Sequence, residues 1–237
     1  MASDRQTLAR QIDEVVINKS RFAGAVVVVS SPGGGVAQYG QLYAEMERFR
    51  KEKIHLQVCV DTVAASGGYL MSLPANKIIA APFAMVGSIG VVAQVPNYRK
   101  LLERIGVEGR IFTAGKYKRT VTTTGDDSPE AIEHFKADLE AIHRQFTAAV
   151  TKYRKVDPDR ACTGAHWTAA QSVEQQLNLV DELATSSEYL FKLNQDRDLV
   201  FIGSASNLFA RRVGGFLADM CERVISRISH RLGGDLQ

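Results

Sequence analysis

The 237 residues include only three cysteines, six prolines and one tryptophan, and neither sign of charge dominates: 29 Lys and Arg stand against 26 Asp and Glu, a formal net charge of +3. Three widely separated cysteines, Cys59, Cys162 and Cys221, exclude a disulfide scaffold; they read as reduced, mostly buried thiols, with room for a single bridge at most. So balanced a charge excludes a surface built over the whole chain for nucleic acid. Met1 to Phe22 is polar and charged, without the basic then apolar order of a secretory signal. One uncharged stretch, Ile78 to Tyr98, is long enough to cross a bilayer, for which about 20 residues suffice. Pro82, Gly87, Ser88, Gly90, Gln94 and Pro96 interrupt it, which predicts two buried strands around a tight turn instead. With 45% hydrophobic residues and no linker between residues 20 and 185, what remains is one sizeable globular core.

The periodicities alternate between strand and helix. Ala25 to Val29 is a continuous apolar run, the pattern of a strand buried on both faces, and Ser31-Pro32-Gly33-Gly34-Gly35 ends it. Tyr39, Leu42, Tyr43, Met46 and Phe49 then recur at helical spacing up to Lys53, and Leu56 to Val60 reads as a second, parallel strand. The order repeats through Ala64-Ala65-Ser66-Gly67-Gly68, a short apolar helix ending near Pro74, and a strand from Lys77 to Ala81. Further along, Asn97 caps a helix that Gly106 stops, and Arg110 to Thr113 reads as a strand leading into Gly115-Lys116-Tyr117-Lys118-Arg119. Ser128 and Pro129 open a long helix whose stripe, Ile132, Phe135, Leu139, Ile142, Phe146, Val150 and Tyr153, is expected to face the core. A capped helix from Thr168 to about Gln176 and an apolar strand Leu177 to Val180 close an α/β layered domain.

Two glycine-rich turns each follow a strand and open a helix, and such turns gather free backbone N–H groups suited to stabilising an anion. The first lacks the spacing of a dinucleotide fingerprint, since Gln38 stands where the third glycine is needed, and has no G-K-[ST]. The second presents Ser66 between small neighbours, although Ala64 replaces the first glycine of a G-x-S-x-G elbow. No histidine recommends itself as a base: His134 and His143 fall on the long helix, His55 and His230 among charges, and all read as solvated surface. Cys162 and His166 are two ligands without a second cluster, so no metal site is expected.

Four segments, Ser31-Pro32-Gly33-Gly34, Val63 to Tyr69, Val86-Gly87-Ser88-Ile89-Gly90-Val91 and Thr113 to Thr120, together resemble the SohB and signal-peptide-peptidase A family of serine proteases, most closely in the SohB style. Gly164-Ala165-His166-Trp167 and Leu179-Val180-Asp181-Glu182 extend the match, which covers roughly residues 22 to 185. The resemblance implies a ClpP/crotonase-like spiral of βαβ units that works without metal or cofactor. It implies a Ser-Lys dyad with Ser66 as nucleophile, Lys118 as general base and Ser88 orienting the lysine amine. Gly34 and Gly67 hold the positions whose N–H groups would form the oxyanion hole. A lysine accepts a proton only when neutral, so burial or nearby positive charge must favour that form, and Lys116 and Arg119 are the neighbours that could supply charge. The resemblance further implies that Ser66 and Lys118 meet from neighbouring copies of the chain, in a ring-shaped homo-oligomer acting on peptide or protein substrates.

The expected organisation is an N-terminal helix over 1–21 with Leu8, Ile12, Val15 and Val16 as its apolar face, a protease domain over 22–185, and a tail over 186–237. Family members usually carry a membrane anchor and an opening strand or two ahead of that helix, so the beginning reads as shortened. The tail repeats Leu208, Phe209, Val213, Phe216, Leu217, Met220, Val224, Ile225 and Ile228 beside five arginines, a basic amphipathic helix suited to packing on another subunit or to peripheral membrane contact. Two rivals stand beside the peptidase: a crotonase-like acyl-CoA site, which uses a similar pair of backbone donors, and a catalytically silent oligomeric scaffold.

Overall fold

The computed structural model describes residues 2–202. Helix α1 (Ala2–Ile17) leads through a 3-10 turn (Lys19–Arg21) to β1 (Ala25–Ser31), α2 (Val36–Lys51), β2 (Leu56–Ala65), α3 (Gly67–Ser72), β3 (Lys77–Ala80) and β4 (Met85–Gly87). Then come α4 (Arg99–Arg104), α5 (Pro129–Tyr153), α6 (Pro158–Ala161), β5 (His166–Thr168), α7 (Ala169–Glu174), β6 (Glu182–Leu183) and α8 (Ser186–Asp196). The architecture is mixed α/β. β1 runs parallel to β2 from Ala25↔Leu56 to Ser31↔Ala64. On the other side of β2, β3 pairs with Gln57 to Val60 and β4 with Val63 to Ala65, both parallel. β6 continues outward from β3 in parallel, and β5 from β4 in antiparallel.

Strand β2 is long and largely buried because it is central: Leu56, Val58, Cys59 and Val60 are fully enclosed, with neighbours hydrogen-bonded on both sides. One face of the sheet packs on Met46 and Phe49 of α2 and Ile12 and Val15 of α1. Ile12 and Val15 are buried as their spacing predicts, and Leu8 and Val16 flank them. Cys59 packs on the other face with Ile79 and Ala184, where burial pushes its thiol up to about 12. Cys59 and Cys162 are both buried and free; Cys221 and the amphipathic tail, Leu208 to Ile228, lie outside the described residues.

Several expectations need correction. β1 is not buried on both faces: it borders β2 alone, and of its seven residues only Val29 is buried while Val28 stands 41% exposed. An unbroken apolar run marks a strand but not how many neighbours it has. Ile78 to Tyr98 does hold two buried strands around a tight turn, but the two run in the same direction: β3 and β4 follow each other along one edge of β2, joined where Ala84 N–H donates to Ala81 O (2.8 Å). Beyond Gly90 the chain leaves the sheet. Arg110 to Thr113 forms no strand, since no partner strand reaches it, and Phe112 stands 89% exposed. Leu177 to Val180 is buried without being extended, because Gln176 (φ 55°) and Asn178 (φ 57°) adopt left-handed backbone and the strand β6 begins later. On α5 only Phe146 and Val150 are buried, so the stripe reaches the core in its C-terminal half alone.

Two ionic clusters fix helices to this frame. Glu47 on α2 accepts from Lys152 Nζ (2.6 Å), Tyr43 OH (2.9 Å) and Tyr153 OH. Burial pushes its carboxyl up, but these three donors outweigh it and hold it down at about 2, from 4.5. A carboxyl depressed in the folded state stabilises the fold fully above its unfolded pKa, and that stability is lost as pH falls through the folded value. We therefore expect Glu47→Gln to remove on the order of 3 kcal/mol at neutral pH. Denaturant midpoints taken from pH 6 to pH 2 check this, the wild-type advantage shrinking between about 4.5 and about 2. At the end of α5, Arg154 donates to both Asp181 oxygens (2.8 and 3.0 Å) and to Asn178 O (2.9 Å), while Asp181 also accepts from Ile78 N (2.8 Å).

Candidate active site

The site forms where β2 and β4 end side by side. Their register stops at Ala65↔Gly87, so Ser66 and Ser88 are the next residues on adjacent strands. Ser66 N–H donates to Gly87 O (2.9 Å) and Ser88 N–H to Ala165 O (2.7 Å). Both serines have positive φ, 51° and 52°, a region that side chains other than glycine rarely enter and that costs on the order of 1–3 kcal/mol per residue. At Ser66 (φ 51°, ψ −121°) the backbone turns sharply from strand into α3, and Ser66 O accepts from Leu70 N (2.9 Å). This strand–turn–helix is an elbow in shape although Ala64 stands where a glycine was expected. Ser66 is half-buried, and its side chain makes no capping bond to α3.

The loop after β1 closes on this elbow. A Cβ on Gly33 (φ 97°) would come within 2.8 Å of both Ser66 Cβ and Gly67 N, and one on Gly68 would overlap the Ser31 carbonyl oxygen. Only glycine allows two backbones to approach this closely. Below the loop, the Tyr39 ring fills the space a Cβ on Gly67 would need and lies 3.0 Å from where one on Gly34 would sit. Behind α3, Tyr69 is fully enclosed and donates to Leu179 O (2.9 Å); burial pushes its phenol well up.

Ser66, Ser88, Gly34 and Gly67 thus come from loops packed at one end of the sheet. Lys118 does not join them within one chain. It lies on the exposed segment between α4 and α5, its N–H bonded to Gly115 O (3.1 Å), and among the described residues no hydrogen bond links it to Ser66 or Ser88. Lys116 is not a free positive neighbour for it, because Glu130 on α5 pairs with it at 2.7 Å and holds its ammonium pKa up. Tyr117 stacks on His134, ring centroids 3.9 Å apart. His134 and His143 are therefore not solvated surface. His143 Nε2 donates to Cys162 O (2.8 Å) and Ile89 O (3.2 Å), tying α5 to the residue that follows Ser88. The sequence placed Tyr39 only in the apolar stripe of α2; its position one turn after three glycines is the signal that could have marked it as a neighbour of the site.

Residues 48–200 match the model of peptidase family S49. A probable protease SohB of Haemophilus influenzae is 37% identical over 202 residues, 84% of this chain and 57% of that protein. A probable protease SohB of Buchnera aphidicola subsp. Schlechtendalia chinensis is 38% identical over 190 residues, 80% of this chain and 62% of its own length. A putative signal peptide peptidase SppA of Enterococcus faecium is 27% identical over 246 residues, 97% of this chain and 70% of that protein. The chain thus spans about three-fifths of the SohB relatives it matches. With the family model matching well over half its length, and SohB relatives above 30% identical over most of it, the chain belongs to peptidase family S49.

Proposed function

We propose that the chain is a serine endopeptidase for extended, apolar peptides, built as a ClpP/crotonase-like spiral and working through a Ser66–Lys118 dyad. The observation that carries the reading is the backbone of Ser66: a side chain held at φ 51° where strand gives way to helix, with two glycine loops against it, is costly unless the hydroxyl is used. In this reading Lys118 Nζ, as a neutral amine, removes the Ser66 proton as Oγ attacks the peptide carbonyl. The N–H groups of Gly34 and Gly67 stabilise the tetrahedral oxyanion, and collapse expels the amine, which takes its proton from Lys118. Water, activated by the same lysine, then releases the acyl group. Ser88 would orient the amine. No cofactor or metal takes part.

The dyad is completed between copies. Ahead of Lys118 the chain exposes Val92 (90%), Leu101, Ile105 and Phe112 (89%), apolar side chains that a neighbouring copy could cover. Packed on the next copy, this segment would bring Lys118 to that copy's Ser66 and strip the amine of water, which favours its neutral form.

The test is complementation. Ser66→Ala and Lys118→Ala are each expected to be inactive on an apolar fluorogenic peptide. Co-expressed in equal amounts, they should recover roughly a quarter of wild-type activity, since a working site then needs one copy of each kind in the right order. Activity equal to wild type in all three samples would overturn the peptidase mechanism. An inactive mixture of subunits shown to exchange would overturn the sharing.

A further inference from the structure

Three adjacent glycines make the Ser31–Gly35 loop the least constrained part of the site, yet a donor in an oxyanion hole works only where it is held in register with the developing charge. Something outside the loop must hold it. Tyr39, in the first turn of α2, touches it in two ways. Its ring lies against both Gly67 and Gly34, so tightly that Gly67 has no room for a Cβ and one on Gly34 would sit 3.0 Å from the ring. Its hydroxyl meets Ser31 Oγ at 2.6 Å, and the same Oγ accepts from Gly33 N (3.3 Å). Ser31 also packs its carbonyl oxygen on Gly68, just after the elbow. One tyrosine therefore spans the gap between the two loops and ties the freer one to the rigid end of α2.

We propose that Tyr39 is a positioning residue that sets the separation of the Gly34 and Gly67 N–H donors, its ring as the spacer and its hydroxyl acting through Ser31. This rests on Ser66 being the nucleophile and those two amides the oxyanion hole. The Tyr39 hydroxyl is engaged by Ser31 Oγ and acts through the loop, so its loss should be felt in the transition state.

The experiment uses the full chain as wild type, Tyr39→Phe, Ser31→Ala and the double variant, with Ser66→Ala as reference. Steady-state kinetics are measured on an apolar fluorogenic peptide, together with inhibition by the aldehyde of the same sequence, whose adduct on Ser66 mimics the tetrahedral state. A fluorophosphonate titration of Ser66 counts correctly folded sites, and thermal melting checks the fold. Tyr39→Phe is expected to lower kcat about 10-fold, a fraction of the roughly 100-fold that outright loss of a donor costs, with KM within about twofold. The aldehyde Ki should rise by the factor by which kcat/KM falls. Ser31→Ala should match it, and the double variant should be no worse than either, because both break one tie. Wild-type kcat and aldehyde Ki in Tyr39→Phe would overturn the proposal, as would additive losses in the double variant. A wild type that takes up no fluorophosphonate at Ser66 and hydrolyses no faster than Ser66→Ala would instead overturn the reading on which it rests.

Discussion

Replacing Ser66 with glycine should make the protein more stable and leave it inactive. At φ 51° and ψ −121° any side chain is strained, by about 1–3 kcal/mol, and glycine removes that strain at an entropic cost of about 0.5–1 kcal/mol. The net expected gain is about 1 kcal/mol, read as a higher denaturant midpoint with an unchanged slope. Ser66→Ala keeps the Cβ that packs on Gly33 and keeps the strain, so its stability should stay within about 0.5 kcal/mol of wild type. Both variants lose the hydroxyl, and both should lose at least about 10⁴-fold in kcat, the remainder coming from the oxyanion hole and binding alone. The opposite signs are the informative part. A serine kept only for structure would give no activity loss, and an unstrained one would give no gain with glycine. A drop in stability for Ser66→Gly would sink the argument that strain is stored here for chemistry.

The largest loss of stability is expected far from the substrate, at Asp181. Arg154 keeps only 8% of its side chain exposed, and Asp181 accepts two of its hydrogen bonds. Asp181→Ala strands that guanidinium in the interior and leaves Ile78 N–H without its acceptor. Removing one partner of a buried pair typically costs about 3–5 kcal/mol; because Asp181 keeps 34% of its own side chain exposed, the lower end, about 3 kcal/mol, is expected here. For a domain of this size the melting temperature should fall by on the order of 10 °C. Paired replacement of Asp181 and Arg154 by residues of similar volume should recover much of it. An Asp181→Ala protein melting within about 2 °C of wild type would show that the pair is as weak as exposed ones such as Lys136–Glu133.

The elements around Ser66 were legible because their signals are local. A strand pattern, a glycine turn and a short apolar run fall in consecutive order from Leu56 to Ser72. Caps were legible for the same reason: Ser128 accepts from Ala131 N (3.1 Å), and Thr168 forms a capping box with Gln171. What escaped depends on partners distant in sequence. His143 looked like surface because its acceptors, the carbonyls of Ile89 and Cys162, carry no sequence signature. Glu47 looked like one more charge in α2, yet its donors Lys152 and Tyr153 lie over 100 residues away. The long stripe of α5 overstated its burial because periodicity records an apolar face and not what covers it. Arg110 to Thr113 misled in a similar way, a strand pattern that pairs with no strand among the described residues.

Cys59 has a use that has nothing to do with catalysis. It sits in the middle of β2, enclosed and flanked by Val58 and Val60, with its thiol pushed up to about 12. Alkylating reagents need a thiolate in reach, and the folded protein offers neither access nor ionisation at this point. Once Cys162 and Cys221 are replaced, each modification of Cys59 therefore records one opening of the central strand, timed by the reagent. Where opening and closing are fast the labelling rate gives the free energy of that event, and at high reagent it gives the opening rate itself. The strand that ends in the strained serine thus carries its own clock, and the clock can be read in the intact, folded chain.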